Sequence, residues 1–526
     1  MKPGLVSLAQ LPALITSGDL LPGGGPLNGR RWAGQTLVRC WAAACGAEPM
    51  ALAHAHPASL QELLPLLRQA GHSGPLHGLP LTDPHRIKPW GGLFLPDPSI
   101  GRWAQWRRPA GAAAFSLIGQ IHTLSTPAAQ ALIADLVSEP VRPWDALICT
   151  SRAGQAVVRD LIDDRIQQLL SRCGGERARL EAQLPQLPVI PLPVPVQRMQ
   201  AELPPAASAR QALGLPPEAA VLVWLGRLSL LTKQDPWPAY ALLQRLAGQL
   251  DRPLVLIECG PDDSPPQAEH LQQLRQLCPA VRFVRLGGEE PVPEPVKLQA
   301  LAAADIGLFL VDNPQETFGL AVVEAMAAGL PLVASDWDGY RDLVRHGTDG
   351  FLIPSRWAST AALVSGSLGW QQLTGLNSFP MTSGALAQLV QLDLQAAEAA
   401  LLSLLHDASL RRAMGHAARS RALAQFDAAV VMGQYRALFD ELARLRAAAP
   451  LAAHQPDPLP LSLDPVRLFA GFASAAPPSE MASPDGDLPA QVRQGRQGLW
   501  QMILAAVSED QRAALLSDLQ RKHLHP

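Results

Sequence analysis

Short apolar runs alternate with longer helical patterns along most of this chain, and that alternation constrains it to an α/β architecture built on parallel sheets. Strand-like runs stand at 93–95, 113–117, 146–149 and 189–191, with helical periodicity over 34–44, 128–136 and 154–170. The opening strand of this half is indistinct: 4–8 is a poor candidate, and 21–28 reads as a Gly/Pro loop. Further strands are expected at 221–225, 254–257, 281–285, 306–311, 332–334 and 351–353, with helices over 236–250, 267–277, 295–304 and 318–328 between them. The steps from strand to helix are short, as βαβ units prefer.

At 526 residues the chain is too long for one core. Proline-rich composition at 185–195, continuing through 204–216, marks a boundary between two α/β halves. Helical periodicity returns at 394–405, 409–425 and 430–445; a Pro/Ala/Ser/Asp-rich stretch to about residue 490 reads as a linker, and 500–519 has helical spacing again. The expected division is therefore 1–200, 201–429, 430–447 and 448–526.

Hydrophobic residues make up 48% of the chain and charged residues 17%, so most of it can be buried. A net charge of −3 argues against a nucleic-acid partner, which needs a basic face. Six scattered cysteines form no disulfide framework and no CxxC pair, and Cys149 and Cys259 lie in apolar, strand-like runs. Residues 1–20 lack the pattern of a secretion signal, and no segment holds the roughly 20 apolar residues that span a bilayer. These features point to a reduced, cytoplasmic location, with contact at the inner face of the membrane as the other option. The stretch Ile100-Gly-Arg-Trp103-Ala-Gln-Trp106-Arg107-Arg108 bears on that option: interleaved indoles and cations suit a membrane surface or a helix edge packed by tryptophans.

Chemistry concentrates in two segments. In Asn313-Pro-Gln-Glu316-Thr-Phe318-Gly319-Leu320-Ala-Val-Val-Glu324, a buried strand ends near Asp312, a loop carries Glu316, and a helix begins around Phe318. Glu316 thus sits at the carboxyl edge of a parallel sheet, where open α/β sheets bind ligands. The free amides of Phe318, Gly319 and Leu320 form a helix tip suited to phosphate. Glu324, further along the helix, can accept hydrogen bonds from ribose hydroxyls. Two glutamates on a helix can equally be a dipole-favoured acid and a solvated position. The second segment, Gly226-Arg227-Leu-Ser-Leu-Leu-Thr-Lys233, follows the first strand of the second half. Gly226 permits a tight turn, Arg227 can grip phosphate bidentately and Lys233 supplies a point charge. No metal cluster and no Asp-x-Asp motif stands out, so any phosphate charge falls to protein cations. The chain also lacks a G-x-G-x-x-G after a strand, which argues against a dinucleotide-dependent dehydrogenase.

Taken together these motifs resemble the retaining nucleotide-sugar glycosyltransferases of sequence family 4 (group 1), which have the GT-B fold. Glu316 and Glu324 match that family's E-x7-E spacing, and the run from Glu324 through Gly329-Leu-Pro-Leu-Val is close to its usual continuation. Gly226-Arg227-Leu228 with Lys233 resembles the diphosphate motif, and His346-Gly-Thr-Asp-Gly-Phe-Leu-Ile-Pro the segment that follows. The resemblance covers about 213–446 and is weaker before it. It implies two Rossmann-like domains facing across a cleft, with a C-terminal helical extension and the helix at 430–447 crossing back to the first domain. It implies that Arg227 and Lys233 bind a donor diphosphate, that Glu316 contacts the transferred sugar, and that Glu324 holds the ribose. Gly119-Gln-Ile-His122-Thr resembles the histidine loop facing the sugar from the first domain. The implied activity is transfer of a hexose-type sugar from a nucleotide-diphosphate donor, without an essential metal or cofactor, to a glycan, lipid or small-molecule acceptor. The other reading is a catalytically silent scaffold on the same fold. Three positions depart from the family pattern. Asp338-Gly339 stands where two glycines are common, Lys233 falls one residue late and is followed by Gln234, and Gly23-Gly24-Gly25 follows a weak strand.

Overall fold

A computed structural model of the chain describes residues 11–16, 20–21, 29–473, 494–505, 507 and 509–524. The weak strand at 4–8 and the glycines at 23–25 lie outside the described residues. Two six-stranded sheets dominate the described part. The first contains β1 (Ala13–Ile15), β2 (Met50–His54), β3 (Leu76–Pro80), β4 (Gly92–Leu95), β5 (Ser116–Gln120) and β6 (Ala146–Ile148), in the order β3-β2-β1-β4-β5-β6. The second contains β7 (Ala220–Leu225), β8 (Leu254–Cys259), β9 (Val281–Leu286), β10 (Ile306–Phe309), β11 (Leu332–Ser335) and β12 (Gly350–Ile353), in the order β12-β11-β10-β7-β8-β9.

Every pairing inside these sheets is parallel. Both sheets therefore repeat one doubly wound order, which reverses direction between β1 and β4 and between β7 and β10. Helices cover the sheets, so strands such as β7 and β8 are buried along their whole length and read as unbroken apolar runs. This is the two-domain GT-B architecture that the resemblance implies.

The two halves are tied by chain crossings. Val194 and Asp427 pair side by side where the chain leaves the first half and returns to it. Asp427 caps the helix Ala428–Ala447, accepting from the Ala429 amide at 3.1 Å. That helix lies on the first sheet's side of the molecule. Tyr435 stacks on Phe94 of β4 at 5.8 Å and accepts from Gln120 Nε2 at 2.9 Å, while Arg446 donates to Ser116 Oγ at 2.6 Å.

Several expectations need correction. β1, β2 and β3 were not legible: β1 is three residues after a proline, β2 is rich in alanine, and β3 is an exposed edge. The strand expected at 113–117 starts at Ser116, because the Ala113 amide bonds instead to Ala453 O at 2.8 Å. The run at 189–191 forms a one-bridge strap beside Cys149, since its flanking prolines lack the donors a ladder needs. The helix expected from Phe318 begins at Leu320, behind Gly319 at φ 108°. Residues 451–457, assigned to the linker, pack on the first half: Asp457 ion-pairs with Arg108 at 2.7 Å. The remaining segment, Pro458–Pro526, is a separate unit whose described α-helices are Pro465–Leu468, Gln497–Ala505 and Glu509–Leu524.

One element had no expectation at all. Between β12 and the helix Leu394–His406, an antiparallel ribbon of β13 (Ser355–Trp357) and β14 (Val390–Leu392) brackets the helices Ala362–Leu373 and Phe379–Ala387. No Asp, Glu, Lys or Arg occurs from Trp357 to Leu392. Without alternating polar positions the segment has no readable period.

The indole-rich stretch resolves to its packed alternative. It forms the helix Ile100–Arg107, with Trp103 and Trp106 edge to face at 5.2 Å. Arg107 is wholly buried and bidentate to Asp145 at 2.6 and 2.8 Å; Asp145 also accepts from the Leu117 amide at 2.8 Å. Among the described residues no helix is long and apolar enough to cross a membrane. Removing one member of a buried pair strands the other charge, so Arg107→Ala should cost about 3–5 kcal/mol. Urea denaturation should show the midpoint fall accordingly; an unchanged midpoint would mean the pair does not hold the first sheet to its helix.

Candidate functional site

The two motif segments leave neighbouring strands at the reversal point of the second sheet, β7 and β10, so topology brings them together. After β7, Gly226 turns at φ 140°, and an added Cβ would stand 3.1 Å from Lys233 Cε. The turn that follows is stitched by Ser229: its Oγ accepts from the Thr232 amide at 3.0 Å, and the Lys233 amide donates to Ser229 O at 3.1 Å. This aims Lys233 at Glu316 despite its late position in the motif, with Nζ 2.5 Å from Oε2. Gln234, the residue after it, is buried. Arg227 ion-pairs with Asp263, which also accepts from Gln267 Nε2 at 2.6 Å.

After β10, Asn313 organises the loop that carries Glu316. Its Oδ1 accepts from the Gln315 amide at 3.0 Å and from Ser383 Oγ at 2.8 Å, and its Nδ2 donates to Leu231 O at 3.0 Å. One amide side chain therefore fastens the Glu316 loop, the Lys233 loop and the uncharged helical hairpin. Thr317 faces the first half: its Oγ1 donates to His122 O at 2.7 Å, and its carbonyl accepts from Thr150 Oγ1 at 3.2 Å. His122 thus stands across the cleft from Glu316, on the loop after β5. Phe318 is buried against Phe426 at 6.2 Å, which leaves its backbone rather than its ring for the site. Gly319 caps the helix Leu320–Ala327, and Leu320 is half-buried.

Glu324 is buried, 7% exposed, which removes the reading of a solvated helix position. Its Oε1 lies 2.6 Å from Lys297 Nζ, and that ammonium sits 4.4 Å over the ring of Trp32 from the first half. Lys297, Asp263 and Asn313 were missed from sequence. Lys297 left a signal, as a lone cation in the apolar helix Glu294–Ala303. Asp263 and Asn313 left none, because their work depends on loops that meet only in the fold.

Each cation in this cluster is held by a carboxylate: Arg227 by Asp263, Lys233 by Glu316, Lys297 by Glu324. The cluster carries balanced charge and can exchange its carboxylates for an incoming anion. Beside it a cleft cavity of about 440 Å³ is lined by Arg152, Ala153 and Ala156 from one half and Asp336, Arg341 and Asp342 from the other. Arg152 Nε meets Asp342 Oδ1 there at 2.6 Å.

Residues 219–366 match the sequence model of the family described as Glycosyl transferases group 1. The D-inositol 3-phosphate glycosyltransferase of Thermobispora bispora is 33% identical over 165 residues, 30% of this chain and 38% of that protein. The enzyme of the same name from Mycolicibacterium gilvum is 29% identical over 256 residues, 47% of this chain and 52% of that protein. The chain thus spans 34–52% of the length of the curated relatives it matches. Among solved structures, the Candida albicans trehalose-6-phosphate phosphatase N-terminal domain has a TM-score of 0.50 at 10% identity, covering 83% of this chain and 99% of that one. Anabaena Alr3699/HepE in complex with UDP-glucose has a TM-score of 0.48 at 16% identity, covering 82% and 100%. The Candida likeness shows the fold alone.

Asp312 lies beyond the end of β10, on the loop that leads to Glu316, and accepts from the Asp235 amide at 3.2 Å. It is 4% exposed, and burial pushes its carboxyl from the ordinary value of 3.8 up to about 8. Between those values the unfolded chain gives up this proton and the folded chain keeps it, so this residue's contribution to stability falls as pH rises. Asp312→Asn should remove that slope, and thermal melts from pH 4 to 8 should show the variant gaining on wild type as pH rises. A constant difference would mean that Asp312 is ionised in the fold.

Proposed function

We propose, on the premise that residues 219–366 form a Glycosyl transferases group 1 domain, that this chain is a retaining glycosyltransferase moving a hexose-type sugar from a nucleotide-diphosphate donor. The observation that carries this reading is the convergence of Arg227, Lys233 and Glu316 at the reversal point between β7 and β10. Two cations beside the tip of the helix Leu320–Ala327 make a pocket for pyrophosphate.

In this reading the donor diphosphate takes Arg227 from Asp263 and Lys233 from Glu316. The anomeric C–O bond to the β-phosphate breaks, the acceptor oxygen bonds to the same face of the anomeric carbon, and its proton passes to the departing phosphate. Negative charge grows on that phosphate as the bond breaks, so the two cations and the helix amides stabilise the transition state more than the ground state. Glu316, released from Lys233, is then free to meet the sugar, with His122 opposite. Glu324 accepts from the ribose, held in place by Lys297. The cations carry the diphosphate charge without an essential metal ion. Closure of the cleft through the Thr317 contacts would exclude water.

The name these relatives share makes D-inositol 3-phosphate the first acceptor to try, followed by glycan and lipid-linked acceptors. Buried free thiols, as at Cys149 and Cys259, suit a reduced, cytoplasmic compartment.

A thermal-shift panel of nucleotide sugars, followed by product analysis, tests the proposal; a silent scaffold would bind a nucleotide yet neither transfer nor hydrolyse a donor. Arg227→Ala and Lys233→Ala should each lower kcat by about 100- to 1000-fold with the melting temperature held. Wild-type rates in both would end the assignment. Glu324→Gln should weaken binding of uridine or guanosine diphosphate in calorimetry, and unchanged affinity for both would remove its role at the ribose.

A further inference from the structure

Among the described residues, Asp338 alone holds a positive φ, 46°, without being glycine. The left-handed region is costly for side-chain-bearing residues, and Asp is one of the few that bear it. Glycine would sit here without strain, and the family pattern has glycine at this place. Strain of this kind persists where the surrounding structure demands it, and it gathers at functional sites.

The neighbouring packing shows where Asp338 is held. At Gly339 an added Cβ would come within 2.6 Å of both Phe318 Cα and Thr317 O, so the 338–339 turn lies directly against the backbone that follows Glu316. At Gly319 an added Cβ would lie 2.4 Å from the Tyr340 ring, so the two loops interlock from both sides. The Asp338 carboxyl accepts from the amide of Gly339 in its own turn. Burial and the nearby negative charge of Glu316 push Asp338 well above the usual carboxylate range. Tyr340 is 1% exposed; its hydroxyl faces Glu316 and Asp338, yet no contact it makes meets hydrogen-bond geometry. The Asp338 carboxyl and the Tyr340 phenol therefore lie beside Glu316, the acid that Lys233 meets from the β7 turn.

We infer that Asp338 is a specificity-determining residue of the donor pocket, taking a ring hydroxyl of the transferred sugar beside the one taken by Glu316. This rests on the donor reading above and adds a residue to it. A carboxyl oxygen accepts from a ring hydroxyl, and a carboxyl that holds its proton also donates to one, so the two are suited partners. When a diphosphate draws Lys233 away, Glu316 loses its counter-ion, and adjacent sugar hydroxyls satisfy both acids at once. A site that hydrogen-bonds a hydroxyl rejects the epimer that misplaces it, because its buried polar groups are then left unpaired.

The test uses the full chain with Asp338→Gly and Asp338→Asn. Calorimetry compares uridine diphosphate and guanosine diphosphate with UDP-glucose, UDP-galactose and GDP-mannose, and melting temperatures are recorded for every protein. Asp338→Gly should melt no lower than wild type, since it relieves the left-handed strain. It should bind the free diphosphates as wild type does, lose about tenfold or more in affinity for the preferred nucleotide sugar, and lose discrimination between glucose and galactose donors. Asp338→Asn, which keeps a hydroxyl partner, should fall between the two, and carries the test by itself should the glycine variant melt lower. Full retention of nucleotide-sugar affinity and epimer discrimination in both variants would overturn the inference while leaving the donor reading intact. A wild-type protein that binds free diphosphates but none of the three nucleotide sugars would overturn both.

Discussion

The ion pair between Lys233 and Glu316, 2.5 Å long, joins two loops that belong to different βα units. It can form because β7 and β10 are neighbours in the sheet although most of three βα units separate them in the chain. A parallel sheet that reverses its winding at this point leaves a gap between the helices on its two faces, and loops from both sides of the reversal open into it. The candidate chemistry of the protein follows from that placement. Asn313 then fixes the loops against one another, so the pair is held by a hydrogen-bonded frame as well as by charge.

The cluster's second feature is its balance of charge. Three cations in and around one pocket would repel each other, and each partly buried ammonium or guanidinium would lack a counter-ion. Asp263, Glu316 and Glu324 remove that cost. The cover over Arg227 and Lys233 is also exchangeable, because a donor diphosphate offers these two cations as much negative charge as Asp263 and Glu316 do. Under the proposed transfer, Glu316, released by the phosphate, becomes an acceptor for sugar hydroxyls, while Glu324 stays on Lys297 and accepts from the ribose. One set of side chains thus serves the closed arrangement and the occupied one.

Legibility differed between the halves for a physical reason. In the second half, β7, β8, β10 and β11 are buried along their whole length and read as apolar runs, and Gly226, Gly260 and Gly287 follow β7, β8 and β9, so these strands stood out in place. In the first half, β1 is only Ala13–Ile15 and draws its stability from β2 and β4 on either side rather than from its own composition. The uncharged hairpin between β13 and β14 escaped notice because an exposed helix without charged residues shows no clear solvent face. Arg107 misled in the opposite direction: beside two tryptophans it resembles a surface cation, and only the fold supplies Asp145 to bury it.

By itself, the sequence determined the α/β class and singled out Arg227, Lys233, Glu316 and Glu324, because local periodicity and turn residues are written in adjacent positions. Tertiary structure alone decided which carboxylate holds which cation, that Glu324 is buried beneath Lys297 and Trp32, and that Asp338 is pressed into a left-handed turn beside Glu316. These are contacts between residues far apart in the chain, and nothing in a local pattern encodes a partner that arrives only when the sheet closes its crossovers.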